Sequence, residues 1–121
     1  MNFTRGTPES AGHDLYYQGE TIKLEVSKTY RLKTGLKYSP PKGYCAIIKE
    51  RSGMALKGFA VHAGVIDSDF ELEWEVICSV RESLVIEKGS KIAQFLVVQV
   101  VQLDCPIIVP ARIAGFGSTG Y

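Results

Sequence analysis

Apolar residues recur along this chain in short runs with a period of two, and the plainest run lies just past its middle. Phe70, Leu72, Trp74, Val76, Cys78 and Val80 alternate with Glu71, Glu73 and Glu75, which predicts a strand over 72–80 with one buried face and one wet face. Runs rich in β-branched and aromatic residues predict further strands over 14–17, 21–26, 29–38, 44–49, 59–62, 64–66, 84–86 and 92–103. Turn sequences such as Ser39-Pro40-Pro41-Lys42-Gly43 and Glu87-Lys88-Gly89-Ser90 separate several of them. The strand over 92–103 is of another kind, because Phe95-Leu96-Val97-Val98 and Val100-Val101 are apolar on both faces. Such a strand needs cover from its own barrel on one side and from a second body on the other, a subunit interface being one candidate.

One short helix is predicted over 52–57, with Ser52 as N-cap, Met54, Ala55 and Leu56 propagating it and Gly58 ending it. Many short strands with hardly any helix define an all-β fold class, a jelly-roll β-barrel or a near relative. No strand is expected before Arg5. The domain organisation is a barrel over 1–110 and a glycine-rich C-terminal arm over 111–121, whose Arg112, Phe116, Ser118 and Thr119 suit a segment that orders on a ligand.

Composition narrows the partners. With 14 basic and 13 acidic residues the net charge is +1, so the chain lacks the broad positive field that dominates nucleic-acid binding, and an anionic partner must be met locally. The apolar stretch over 92–101 is too short to span a bilayer as a helix and is broken by Gln94 and Gln99. Neither a nucleic acid nor a membrane is expected as a partner. The opening residues contain no apolar core of the signal-peptide type, and three widely spaced cysteines, Cys45, Cys78 and Cys105, make no disulfide framework. The expected location is intracellular, cytoplasmic or nuclear and not secreted, with the cysteines expected as buried packing.

The chemistry legible from residue types is that of an anion site. Arg51, Ser52 and Gly53 put a guanidinium, a hydroxyl and bare backbone at the start of the short helix, suited to an oxyanion or serving only as an ordinary cap. Gly115, Gly117 and Gly120 match a dinucleotide fingerprint in spacing, but the helix and acidic residue that fingerprint needs are not expected after them. Glycine amides there can approach a phosphate, or the segment is a plain terminus. Asp67 and Asp69 follow a strand, where one carboxylate can face a cleft or both can stabilise a turn. His13 and His62 have no companions at metal-ligand spacing, and no Ser-His-Asp or Cys-His arrangement appears.

Taken in order, five segments resemble the motifs of the trimeric dUTPases over almost the whole chain. They are Gly6 to Leu15, Arg51-Ser52-Gly53-Met54-Ala55, Gly64-Val65-Ile66-Asp67-Ser68-Asp69-Phe70, Gly89-Ser90-Lys91-Ile92-Ala93-Gln94, and Arg112 with Gly115 to Gly120. Each is weak alone, whereas five in the right order are specific. The resemblance implies a dUTPase jelly roll assembled as a homotrimer with active sites at subunit interfaces, Mg²⁺ as cofactor, and hydrolysis of dUTP to dUMP and pyrophosphate. It implies that Asp67 orients the attacking water and that Asp14 supports the metal through water. Arg51, Ser52, Gly53 and Gln94 would hold phosphates, while Gly64, Ile66 and Phe70 would shape the pocket for uracil and deoxyribose. From the arm, Phe116 would stack on the base, and Arg112, Gly117, Ser118 and Thr119 would lie near the terminal phosphates.

The sequence also departs from the family pattern. Phe70 replaces the usual Tyr, Glu71-Leu72 replaces Arg or Gln followed by Gly, and His13 stands at a position that is more often aromatic or aliphatic. Leu does not readily take a positive φ, and the spacing from Arg112 to Phe116 is one residue shorter than the family's; Glu71-Leu72 and this spacing together motivate the alternative of a catalytically impaired dUTPase-fold regulatory or interaction module. A dCTP deaminase would need a further acid/base carboxylate and a pocket for the 4-amino group, for which no motif appears.

Overall fold

The computed structural model describes residues 2–108. Arg112, Phe116, Gly117, Ser118 and Thr119, with the whole of the predicted arm over 111–121, lie outside the described residues. The elements in chain order are β1 (Phe3–Thr4), β2 (His13–Tyr16), β3 (Ile22–Leu24), β4 (Tyr30–Lys33), β5 (Tyr44–Lys49), α1 (Ser52–Leu56), β6 (Phe59–Val61), β7 (Val65–Ile66), β8 (Glu75–Val80), β9 (Leu84–Ile86) and β10 (Lys91–Gln99). They form a five-stranded sheet in the order β1-β2-β10-β5-β7, a three-stranded sheet β4-β8-β6 and a pair β3-β9, with the pairings antiparallel. The all-β expectation holds, with α1 as the single helix among the described residues.

The alternating segment lies as its pattern predicts from Trp74 onward, with Trp74, Val76, Cys78 and Val80 buried while Glu75, Ile77 and Ser79 are only partly so. Trp74 is fully buried, meets Phe95 edge-on at 4.8 Å between ring centroids, and donates its indole N–H to the Tyr38 carbonyl at 2.8 Å. Burying an aromatic side chain of this size, roughly 150–250 Å² at about 25 cal/mol per Å², contributes several kcal/mol. The hydroxyl of Thr34, equally buried, donates to the Trp74 carbonyl at 2.8 Å and accepts the Leu36 N–H at 3.1 Å. The tryptophan is thereby fixed on both its polar and its apolar side.

Four expectations are corrected. Phe70 and Leu72 precede β8 instead of joining it, because the Trp74 N–H is donated to the Leu36 carbonyl at 2.8 Å and the chain before it turns away, leaving Leu72 45% exposed. A short strand does precede the first motif, since Phe3 and Thr4 pair with Leu15 and Asp14. The residue at the N-cap of α1 is Arg51 in extended backbone, without a side-chain cap bond; Ser52 lies inside the first turn, and the Arg51 guanidinium is engaged elsewhere. Of the cysteines, only Cys78 is buried, its thiol pushed up to about 12 by burial, whereas Cys45 is half-buried and Cys105 exposed. Gly58 ends the helix as expected, at φ +88° with its N–H donated to the Ala55 carbonyl.

Candidate active site

Strands β2, β10 and β5 are neighbours, and their register aligns Asp14 with Gln94 and Gln94 with Lys49. Three polar positions thus stand in one row on the outer face of the sheet, at the roughly 4.8 Å spacing of paired strands. Arg51 follows two residues beyond Lys49. Asp14 and Gln94 of this row, with Arg51, floor a cleft of about 390 Å³ that the loop of the first motif, through Ser10 and Gly12, and Ser52 and Gly53 of α1 complete. Four of the residues that the sequence assigned to anion contact, Arg51, Ser52, Gly53 and Gln94, therefore meet in one place with Asp14.

The charges of this cleft are arranged within the chain. Asp14 is buried; its Oδ1 accepts the Arg51 Nε–H at 3.2 Å and its Oδ2 lies 3.6 Å from the Lys91 ammonium. Two cations on one carboxylate compensate its charge, and the charge-assisted bond aims Arg51 across the cleft. Gln94 donates to the Glu50 carbonyl at 2.9 Å. Gly12 makes room for it, because a Cβ there would stand 2.1 Å from Gln94 Oε1. The Glu50 carboxylate in turn accepts the Val61 N–H at 2.7 Å, and this bond, its own backbone N–H and nearby Lys49 hold its carboxyl below the usual range against the opposing effect of burial. Lys91, Gly12 and Glu50 are contributors that sequence reasoning did not single out. Lys91 and Gly12 lay inside quoted motifs, but Glu50 carries no motif signal, since its role depends on β6 bringing Val61 alongside.

Asp67 lies elsewhere. Strand β7 pairs with β5 through Ile66 opposite Ala46 and Val65 opposite Ile47, so Asp67 continues to the level of Cys45, the far end of β5 from Arg51. Six residues separate Cys45 from Arg51, and at roughly 3.3 Å per residue that is on the order of 20 Å. Asp67 lines its own cleft, also of about 390 Å³, with Asp69, Cys45, Val65 and Gln102. No lining residue is common to the two clefts.

The entry into this second half-site is built on backbone. Ala63 and Gly64 both have positive φ, +56° and +89°, and the Gly64 carbonyl accepts the Ile48 N–H at 2.8 Å. A Cβ on Gly64 would meet the Ile48 carbonyl oxygen at 2.8 Å, so only glycine fits there. Ile66 points into the core and is 8% exposed. Asp67 to Phe70 closes as a turn, with the Phe70 N–H on the Asp67 carbonyl at 3.1 Å and the Ser39 hydroxyl donating to the Phe70 carbonyl at 2.7 Å. The Phe70 ring packs partly against the core. Leu72 is not among the positive-φ residues, so leucine at a family glycine position introduces no left-handed strain.

Between the clefts, on the same outer face, the register places Leu96 opposite Ile47, Val98 opposite Cys45 and Val65 opposite Ile47. Val65 is 61% exposed, and past the end of β10 Val101 and Leu103 are 89% and 85% exposed. The doubly apolar strand thus carries part of a half-exposed apolar strip that runs from one half-site toward the other.

Of the histidines, His13 stacks on Phe95 at 5.0 Å and meets Phe3 edge-on, while His62 Nε2 lies 2.6 Å from the Ser79 hydroxyl. Both make packing or surface contacts, as expected. Among the described residues no three His, Cys, Asp or Glu side chains converge as a metal cage, and no helix is long and apolar enough to cross a membrane.

An antiparallel barrel with a glycine-lined cleft built on an Arg51–Asp14 pair and a separate carboxylate cleft defines the class, a jelly roll with two half-sites. Within that class the chain belongs to the dUTPase family, whose sequence model matches residues 1–120. It is 40% identical over 119 residues to a Gag-Pro polyprotein of mouse mammary tumor virus, covering 97% of this chain and 14% of that polyprotein's length. It is 34% identical over 124 residues to the deoxyuridine 5'-triphosphate nucleotidohydrolase of Paramecium bursaria Chlorella virus 1, covering 96% of this chain and 87% of that protein. Among solved structures it resembles native EIAV dUTPase at 25% identity and a TM-score of 0.79, covering 93% of this chain and 95% of the other.

Proposed function

We propose that the chain is a subunit of a homotrimeric dUTP pyrophosphatase that hydrolyses dUTP to dUMP and pyrophosphate. The single observation that supports this most is the separation of the half-sites along β5. Asp67 is on the order of 20 Å from Arg51 within one chain, so a site that uses both is completed by a second copy. The apolar strip through Ile47, Leu96 and Val98 is the surface such a copy would cover, and in this reading its covering brings one subunit's Asp67 to another's Arg51.

In this reading Arg51, Ser52, Gly53 and Gln94 bind the phosphate chain, with Asp14, itself paired with Lys91, fixing the Arg51 guanidinium. Asp67 holds a water in line with the α-phosphorus and accepts its proton as the P–O bond to the pyrophosphate leaving group breaks. Gly64, Ile66 and Phe70 form the base and sugar pocket, whose backbone geometry at Gly64 admits no larger residue. Arg112, Phe116, Gly117, Ser118 and Thr119 close the site from the arm, as the family resemblance implies.

A magnesium ion suits this donor set only as a passenger of the substrate. Mg²⁺ commonly takes one or two carboxylates, several waters and phosphate oxygens, and Asp14, already flanked by Arg51 and Lys91, is suited to hold it through water. When bound, the ion would neutralise charge on the phosphate chain. Leu72, the main motive for a non-catalytic reading, sits in unstrained backbone, and no observation favours that alternative.

The test mixes two inactive variants. Asp67→Asn and Arg51→Ala subunits, each unable to release pyrophosphate from dUTP with Mg²⁺, are unfolded together and reassembled. Sites drawing the two residues from different chains recover activity at roughly a quarter of all sites when the two variants assemble at random in equal amounts. Wild-type protein inert toward dUTP defeats the function, and mixed protein as dead as its parents defeats the shared site.

A further inference from the structure

The turn from Asp67 to Phe70 is held at its two ends by different parts of the chain. At the Asp67 end, β7 pairs with β5 through Ile66 opposite Ala46. At the Phe70 end the β8 ladder has not yet begun, since its pairing with β4 runs from Cys78 opposite Tyr30 to Glu75 opposite Lys33. The segment over 34–39 continues alongside instead. The Gly35 N–H is donated to the Glu73 carboxylate at 3.0 Å, the Leu36 and Tyr38 carbonyls accept the backbone and indole N–H groups of Trp74, each at 2.8 Å, and the Ser39 hydroxyl donates to the Phe70 carbonyl at 2.7 Å.

Ser39 is itself placed with little freedom. The carbonyl before it is tied to the fully buried Trp74, and Pro40 after it, also buried, restricts Ser39 to extended backbone. An exposed hydroxyl contributes little to stability, because water can take its place on the freed carbonyl. Its effect falls on geometry, since it fixes the Phe70 carbonyl and with it the backbone from which the ring extends. The Phe70 ring carries no polar group, so it selects by packing alone, and packing contacts weaken or clash within a fraction of an ångström. Resting on the reading of this half-site as the base and sugar pocket, we propose that Ser39 is a positioning residue for substrate selection, holding the Phe70 ring where a 2′-deoxy sugar fits and a ribose 2′-hydroxyl does not. Asp67, fixed from β7, keeps its place when the Ser39 hydroxyl is lost. Selection and KM therefore depend on Ser39, whereas kcat does not.

Steady-state hydrolysis of dUTP and UTP by the full chain tests this. Ser39→Ala raises KM for dUTP about three- to tenfold, the effect of one neutral hydrogen bond, and leaves kcat within about twofold. UTP, which lacks the fit from the start, changes little, so the preference for dUTP in kcat/KM falls by the same factor. Ser39→Thr, which keeps the hydroxyl and suits extended backbone, restores both. Calorimetric titration with non-hydrolysable dUTP and UTP analogues reads the same preference without turnover. A preference unchanged in Ser39→Ala, with dUTP hydrolysis intact, overturns the role of Ser39 and spares the function. A preference lowered equally in Ser39→Thr overturns it too, because the hydroxyl is then not what matters. An analogue preference that follows the Ser39 hydroxyl in a chain that leaves dUTP intact supports the positioning role and defeats the hydrolysis.

Discussion

Two clefts of the same size lie at opposite ends of β5, and they are held open by different means. The cleft around Arg51 is organised by side chains: Asp14 binds two cations, Gln94 is tied to the Glu50 carbonyl and Gly12 makes room for it. The cleft around Asp67 is organised by backbone, through two left-handed residues, a turn and a carbonyl held by Ser39. The first half is built to compensate charge, so it needs many polar groups whose positions are fixed before substrate arrives. The second is built to position one carboxylate and a narrow pocket, which a rigid hairpin does with few polar contacts.

The largest expected effect comes from separating the two roles by mutation. Asp67→Asn should lower kcat by about 10²–10⁴-fold, the usual range for a positioned proton acceptor, with little change in affinity for a non-hydrolysable dUTP analogue. Arg51→Ala should instead weaken the analogue and also lower stability by about 1–3 kcal/mol, because a buried Asp14 oxygen loses its donor. Pyrophosphate release and analogue titration distinguish them. If both variants lose affinity and keep kcat, the division of labour between the clefts is wrong.

Glycine substitutions probe the two kinds of scaffold. Gly64→Ala places a methyl 2.8 Å from a backbone oxygen at φ +89°, where neither the residue nor its neighbour can yield. A loss of about 1–3 kcal/mol is expected in denaturant unfolding, with dUTP hydrolysis falling alongside. Gly12→Ala meets the end of a flexible Gln94 side chain instead, which can swing aside at the expense of one hydrogen bond, about 1 kcal/mol. Its main consequence should be a higher KM. A Gly12→Ala variant less stable than Gly64→Ala would contradict the side-chain and backbone distinction.

The sequence discloses the two halves unequally. Residues of the Arg51 cleft come from three separate segments, and only their order along the chain marks them as belonging together. Asp67 was legible as a carboxylate at a strand end, but its distance from Arg51 was not, because that depends on which β5 residues β7 pairs with. Period-two alternation placed Trp74 to Val80 correctly and failed at Phe70 and Leu72, since alternation persists where the ladder has already ended at Trp74. Ser52 had the composition of an N-cap, yet the cap is Arg51, whose position is settled by an Asp14 distant in sequence. Exposure of Cys105 was illegible for a simpler reason: an apolar neighbourhood in sequence does not imply one in space. The doubly apolar strand was the most informative signal, for it announced a surface that the chain alone does not cover.

The smallest effect tests whether the Arg51 cleft depends on charges behind it as well as in it. Glu50 lies between Lys49 and Arg51, and its carboxylate secures β6 through the Val61 N–H. The folded state holds this carboxyl below its ordinary value of 4.5, first through that bond. A depressed folded value means that the unfolded chain takes up the proton first, so the contribution is complete above about pH 4.5 and fades as pH falls through the lower folded value. Wild type and Glu50→Gln should therefore differ in stability at neutral pH, and the gap should narrow on acidification as the wild-type carboxyl protonates. The Asp67 cleft has no counterpart in this bond, so the same substitution should leave the Asp67→Asn defect in kcat unchanged. A gap that widens toward acid, or a Glu50→Gln variant that lowers kcat as Asp67→Asn does, would show that the two clefts are not independently supported.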